Sequence, residues 1–226
     1  MIVCQNCGSE GDQKFCPGCG QALQADRISV QYLLHEVAHT FWHLEKGFLY
    51  TLRELGTNPG TMQRKYLSGL RLRYQKPFPL FAISGTFCAL ALFFIYRDAP
   101  IQTDQFFYKH YYFIVQAALL PVYAFITYIL FKNRELYYAE ALVMNVYMLG
   151  FMSAFIIPLN ALSFFLPNGI ISLLEVVFLI TYNTWTNLNF FKGKVVWWII
   201  VRSTLAIVIS YLLFNFTSRL VMQWLM

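Results

Sequence analysis

The sequence predicts an all-α integral membrane protein: five transmembrane helices preceded by a small four-cysteine head and an amphipathic, basic helical neck. Three observations predict it. From Phe78 onward the apolar residues come in runs near the about twenty residues that a helix needs to cross a bilayer. Of 226 residues, 58% are hydrophobic and 12% charged, whereas soluble domains carry about 25% charged residues. Two C-x-x-C-G knuckles, Cys4–Gly8 and Cys16–Gly20, stand at the front with eight residues between Cys7 and Cys16. The expected divisions are 1–24 for the head, 25–76 for the neck and 77–226 for the bundle.

In the head, each pair of cysteines three apart in a tight turn supplies two thiolates, and the following glycine can take the positive φ of that turn. Clasped together, Cys4, Cys7, Cys16 and Cys19 make a closed tetrahedral site. Zinc is the expected ion; iron in a rubredoxin-like site uses the same ligands. A closed four-thiolate set leaves no coordination position for water or substrate, so the metal is expected to be structural, replacing a core that some twenty residues cannot build. The competing reading is two disulfides in an exported head. No basic n-region or apolar h-region opens the sequence, so the first span is expected to serve as insertion signal and the cysteines to stay reduced. Cys88, between Phe87 and Ala89, reads as a small buried hydrophobe.

In the neck, Ser29 to about Leu55 is expected to be helical, capped by Asp26 or Ser29. Val30, Leu33, Val37, Phe41, Leu44 and Phe48 recur at helical spacing, with His35, His39 and His43 opposite. Those histidines could hold a metal or sense pH; no H-E-x-x-H pattern accompanies them, and an exposed polar face explains them as well. Asn58-Pro59-Gly60 predicts a turn. The stretch from Met62 to Pro77 then carries Arg64, Lys65, Arg71, Arg73 and Lys76 and no acid. Such a segment next to a span is expected to lie on anionic lipid headgroups, not to bind nucleic acid.

At these residues a resemblance enters. Phe15-Cys16-Pro17-Gly18-Cys19-Gly20-Gln21 resembles a bacterial zinc-ribbon knuckle. Gly47-Phe48-Leu49-Tyr50-Thr51-Leu52, Asn58-Pro59-Gly60, Tyr66-Leu67-Ser68-Gly69-Leu70-Arg71 and Tyr74-Gln75-Lys76-Pro77 are similar to the bacterial membrane family called domain of unknown function 3667. Leu70 departs from the basic residue expected before Arg71. Tyr138-Ala139-Glu140-Ala141-Leu142 and the span count distantly resemble the Yip-type five-span fold. The family implies a bacterial inner-membrane protein and assigns no activity.

The expected spans are Phe78–Tyr96, Tyr111–Phe131, Ala139–Leu166, Gly169–Phe190 and Val195–Phe216. The third contains Pro158 and is expected to tilt, kink or end early. Basic residues gather before the first span, at Lys132 and Arg134, and at Lys192 and Lys194. The loop between the first two spans balances Arg97 and Lys109 against Asp98 and Asp104. The positive-inside rule thus puts the N-terminus in the cytoplasm and the C-terminus outside.

Within the spans, Glu140, Asn145, Asn183, Asn187 and Arg202 would fall at similar depth near the cytoplasmic side. They predict either a polar cavity or interhelical hydrogen bonds that lock the bundle. Glu175 lies in the outer half. No phosphate loop, dinucleotide fingerprint or nucleophile elbow is present, and no inverted repeat is visible. The expected function is a non-enzymatic inner-membrane adaptor whose zinc head binds a protein partner while the bundle binds membrane lipids. The alternative is a transporter or lipid-handling protein using a cytoplasm-facing cavity near Asn183, Asn187 and Arg202.

Overall fold

The computed structural model describes residues 2–4, 6–23, 29–30, 47–98, 106–107, 110–132, 136–192 and 195–225. The histidines of the neck, and all of residues 31–46, lie outside these residues. Among the described residues, five helices are long and apolar enough to cross a membrane, as the hydropathy runs predict.

The head is a two-strand ribbon. β1 (Ile2–Val3) pairs antiparallel with β2 (Glu10–Gly11), with Ile2 opposite Gly11 and Val3 opposite Glu10. Phe15 and Ala22 form a second, isolated bridge. Among the described residues of the head, buried apolar contact is confined to Cys4, Cys16 and Leu23, with Cys19 against them. That is too little apolar area to fold a module in water.

Among the described residues, the neck holds two short helices. α1 covers Phe48–Thr57 and α2 covers Pro59–Leu67. A single helix from Ser29 to Leu55 cannot run through Gly47, which is a turn residue with φ 127. Asn58 joins the two helices in a non-helical conformation, and Pro59 opens α2, where its missing N–H costs nothing.

The spans are α3 (Pro77–Ile95), α4 (Tyr112–Phe131), α5 (Tyr138–Ala161), α6 (Asn168–Phe190) and α7 (Val196–Leu225). α5 is the most buried span and touches α1, α2, α3, α4 and α6. It stays helical through Pro158 and relaxes into a 3-10 turn at Leu162–Phe164. α7 continues well past Phe216, where the sequence suggested an end, because nothing from Thr217 to Leu225 breaks a helix. Trp197, Trp198, Phe165 and Trp224 are exposed near span ends, at the level where aromatic belts sit. Cys88 is fully buried and packs in a cluster with Leu92 and Val115.

The neck does more than lie against lipid. Leu55 and Met62 are 0% exposed and Tyr66 is 1% exposed, and they share one core with Leu80, Val143 and Tyr147. α2 packs on α6 and on α5. The contact with α6 is backbone on backbone: a Cβ at Gly60 would collide with the Thr186 carbonyl oxygen and the Phe190 amide nitrogen. Only glycine permits that approach.

Gly60→Val should therefore lower stability by about 3 kcal/mol, because main-chain atoms cannot yield as a side chain would. The thermal melt of the purified chain in detergent should fall, and trypsin should reach Arg64 and Lys65 sooner. An unchanged melt would mean that α2 does not seat against α6.

Candidate metal centre

The two knuckles repeat one backbone design. The Gly8 amide donates to the Cys4 carbonyl and the Gly20 amide to the Cys16 carbonyl, each at 2.9 Å. The Cys4 amide donates to the Ser9 carbonyl at 2.9 Å, and the Cys16 amide to the Gln21 carbonyl at 2.7 Å. Gly8 and Gly20 have φ 77 and 74, the left-handed turn that the sequence pattern anticipates. These turns aim four thiols at one point. Cys4 Sγ lies 3.6 Å from Cys19 Sγ, and Cys7 Sγ lies 3.5 Å from Cys16 Sγ. All four sulfurs fall within 4.8 Å of one another.

The donor set fits a metal. With metal–sulfur bonds of about 2.3 Å, a tetrahedron has sulfur–sulfur edges of roughly 3.8 Å. The cysteines are free thiols, so the disulfide reading does not describe this head. Four thiols this close cannot all ionise unless a cation neutralises them. The backbone N–H groups of Cys7 and then Asn6 stabilise the Cys4 thiolate and lower its pKa below the usual cysteine value. The Ser9 hydroxyl, 3.3 Å from Cys7 Sγ, and the Ser9 amide pull Cys7 down to about 6. Burial pushes Cys16 up to about 11. The four cysteines could hold one metal ion with no ligand position left over.

The head is bonded to the neck. The Gln21 side-chain amide donates to the Gly69 carbonyl at 2.6 Å, and Gln21 is buried. Gln21 and Ser9 carry no signal of these roles in the sequence beyond their places beside a knuckle.

Residues 45–88 match the model of the family described as Protein of unknown function (DUF3667). That segment is similar to this family. No curated protein and no solved structure matches the chain. The DUF3667 segment covers α1, α2, the loop after them and the first part of α3, so it is the part that seats in the bundle. Its motif residues hold that seat. The Gln75 amide donates to Thr51 Oγ1 at 2.8 Å. The Tyr66 ring meets the Tyr147 ring edge-on at 5.3 Å. Tyr74 stacks on Tyr50 at 5.8 Å. The Tyr147 hydroxyl donates to the Gln75 carbonyl at 2.8 Å, and the Tyr182 hydroxyl to the Leu55 carbonyl at 3.1 Å. Of the basic residues, Arg64, Lys65 and Arg73 are exposed while Arg71 and Lys76 are half-buried. Arg71 lies over the Tyr66 ring at 6.0 Å.

The intramembrane polar residues divide into separate groups. Asn187 Nδ2 donates to Asn183 Oδ1 at 2.9 Å and to Ser203 Oγ at 3.0 Å, all three buried. Asn145 Nδ2 donates to Thr127 Oγ1 at 3.1 Å and to the Ala141 carbonyl at 2.8 Å. Glu140 Oε2 accepts from the Tyr137 amide at 3.0 Å and so caps α5. Arg202 lies over the Trp198 ring at 5.7 Å. A cavity of about 360 Å³ does lie in the bundle, but its wall includes Asn145 and Asn183 without Asn187, Arg202 or Glu140. It extends from mid-span toward the end away from the head, past Glu175 to Arg219. The depth of the five residues was legible; the rotation of each helix, which decides what faces a cavity, was not.

Two outcomes check this account. Acidification should expel the bound ion, since protons compete with the metal for the thiolates, and Cys4→Ser or Cys16→Ser should cut metal content well below one per chain. Cobalt-loaded protein should show the visible spectrum of a tetrahedral thiolate site, and lose it as pH falls. Asn187→Leu leaves Asn183 Oδ1 and Ser203 Oγ without their donor and should cost about 1–2 kcal/mol, read as a lower Tm in detergent.

Proposed function

We propose that the chain is a non-enzymatic adaptor of the bacterial inner membrane, with a structural zinc ion in a cytoplasmic head that presents a surface to a protein partner. The observation that carries this reading is the fixed head. A flexible tether would only localise a binding module, whereas the buried Gln21–Gly69 hydrogen bond ties the ribbon to a neck that is itself core. On the ribbon, Val3 and Phe15 are 57% and 55% exposed. Exposed apolar side chains on so small a module suit a protein contact. The closed four-thiolate set argues against chemistry at the metal. Zinc suits such a set, having no redox or geometric preference of its own. Lys132 and Lys192, at the ends of spans on the head's side, support a cytoplasmic head and a C-terminus outside. The exposed Arg64, Lys65 and Arg73 suit anionic headgroups beside that head.

The test separates the surface from the fold. With a photocrosslinking residue in place of Asp12, the otherwise wild-type chain should form an adduct with a protein partner in native membranes; Val3→Asp combined with Phe15→Asp should leave one zinc per chain and an unchanged melt, yet abolish that adduct. A double variant that keeps the adduct at wild-type yield would overturn the adaptor reading.

A further inference from the structure

The cavity is a channel lined by four helices, α4 to α7. α7 supplies Ile207, Ser210, Phe214, Ser218 and Met222 at spacings of three and four, which place them on one face. From Ile207 to Met222 that face runs about 22 Å along the axis. α5 supplies Met148, Met152 and Ile156, and α6 supplies Glu175 and Phe178. The result is long and narrow, and about 360 Å³ is at the lower end of the roughly 300–1,000 Å³ of ligand pockets.

Its chemistry is graded. At the deep end the amide donors are already committed, Asn145 to Thr127 and Ala141, and Asn183 to Met148 Sδ at 3.8 Å. That end asks nothing polar of an occupant; Met148, Met152, Ile156 and Phe178 line the middle, where Glu175 already accepts from Asn160 at 2.6 Å. The end away from the head is polar. Arg219 is exposed there, beside Asn215 and Ser218. Gln116, near the start of α4, lines the wall with its Oε1 buried and without a hydrogen-bond partner among the described residues. A buried acceptor left unmet is costly, so the site calls for a donor as well as an anion.

We infer that this channel holds one acyl chain of a phospholipid from the leaflet away from the head, with the lipid phosphate on Arg219 and an amine or hydroxyl of its headgroup donating to Gln116. A guanidinium meets a phosphate with two parallel N–H bonds. A single chain matches the length and the narrowness, and the apolar walls match its methylenes. This site is independent of the head and of the adaptor reading: it lies at the opposite end of the bundle and shares no residue with the cysteine cluster.

Native mass spectrometry of the full chain, washed in detergent and titrated with defined phospholipids, tests it. Wild type should retain one phospholipid per chain. Phosphatidylethanolamine and phosphatidylglycerol should bind several-fold tighter than phosphatidylcholine of the same chains, which lacks a headgroup donor. Gln116→Leu should erase that preference. Arg219→Gln should weaken every phospholipid about tenfold and leave diacylglycerol unchanged, while Arg202→Gln, off the channel wall, should change nothing. In wild type alone, affinity should climb with acyl-chain length and then level off once the channel is full. Retention of no lipid, equal behaviour of Arg219→Gln and Arg202→Gln, absence of any chain-length dependence, or displacement by millimolar inorganic phosphate would each overturn the assignment.

Discussion

The seating of α1 and α2 against the bundle is the constraint on which the rest of the structure depends. A short helix pair carries orphan carbonyls at each C-terminal end, and away from water each unmet group is expensive. Two tyrosines from the spans answer this. Tyr182 donates to Leu55, in the last turn of α1, and Tyr147 donates to Gln75, in the loop before α3. Thr51 takes the Gln75 amide from below. With those groups met, Leu55, Met62 and Tyr66 can be enclosed completely. Gly60 lets α2 come close enough to α6 for the enclosure to close. Had any larger residue stood at Gly60, the two helices would be held apart and the core beneath them opened.

That seat explains why so small a head can hold a position. The ribbon has almost no core of its own, and its contact with the body runs through the Gly69 carbonyl. Gly69 belongs to the loop between α2 and α3, which Tyr147 and Thr51 pin. A metal held by the four cysteines would order the knuckles, the knuckles set Gln21, and Gln21 meets a loop already fixed by the spans. Each level is rigid only because the one beneath it is. The DUF3667 match covers that middle level and not the cysteines, so in this chain the matched segment is the part on which the cysteine ribbon is mounted.

Local features were legible in the sequence and tertiary ones were not. The four-sulfur cluster was readable because C-x-x-C-G fixes its own turn, and Gly8 and Gly20 adopt the conformation that the pattern requires. The spans were readable because hydropathy is a sum over some twenty residues. Burial of the neck was hidden. In α2 the fully enclosed positions include Gln63, while the exposed ones are Arg64 and Lys65. Such a segment reads as interfacial unless one knows that α5 and α6 wait on its other side. The length of α7 was hidden by its polar residues, Asn215, Ser218 and Arg219, which look like an exit from the membrane and instead face a channel.

The two halves of the bundle therefore differ in kind. On the head's side, polar side chains are spent on one another: Asn187 on Asn183 and Ser203, Asn145 on Thr127, Glu140 on the start of α5. The seated neck covers this half as well, so ligand exchange from that side would have to displace packed helices. On the other side, Asn160 joins Tyr96 at 2.7 Å and Glu175 at 2.6 Å, bracing α3, α5 and α6 at their ends while the space toward α7 stays open. α7 is the least buried span, and it closes the channel with a single helical face. A bundle locked at one end and gapped at the other exchanges its contents only through the gap. The polar cluster that sequence alone marks as the place to look is thus the locked end, and the open space lies beyond it, where Arg219 and Gln116 line the same channel.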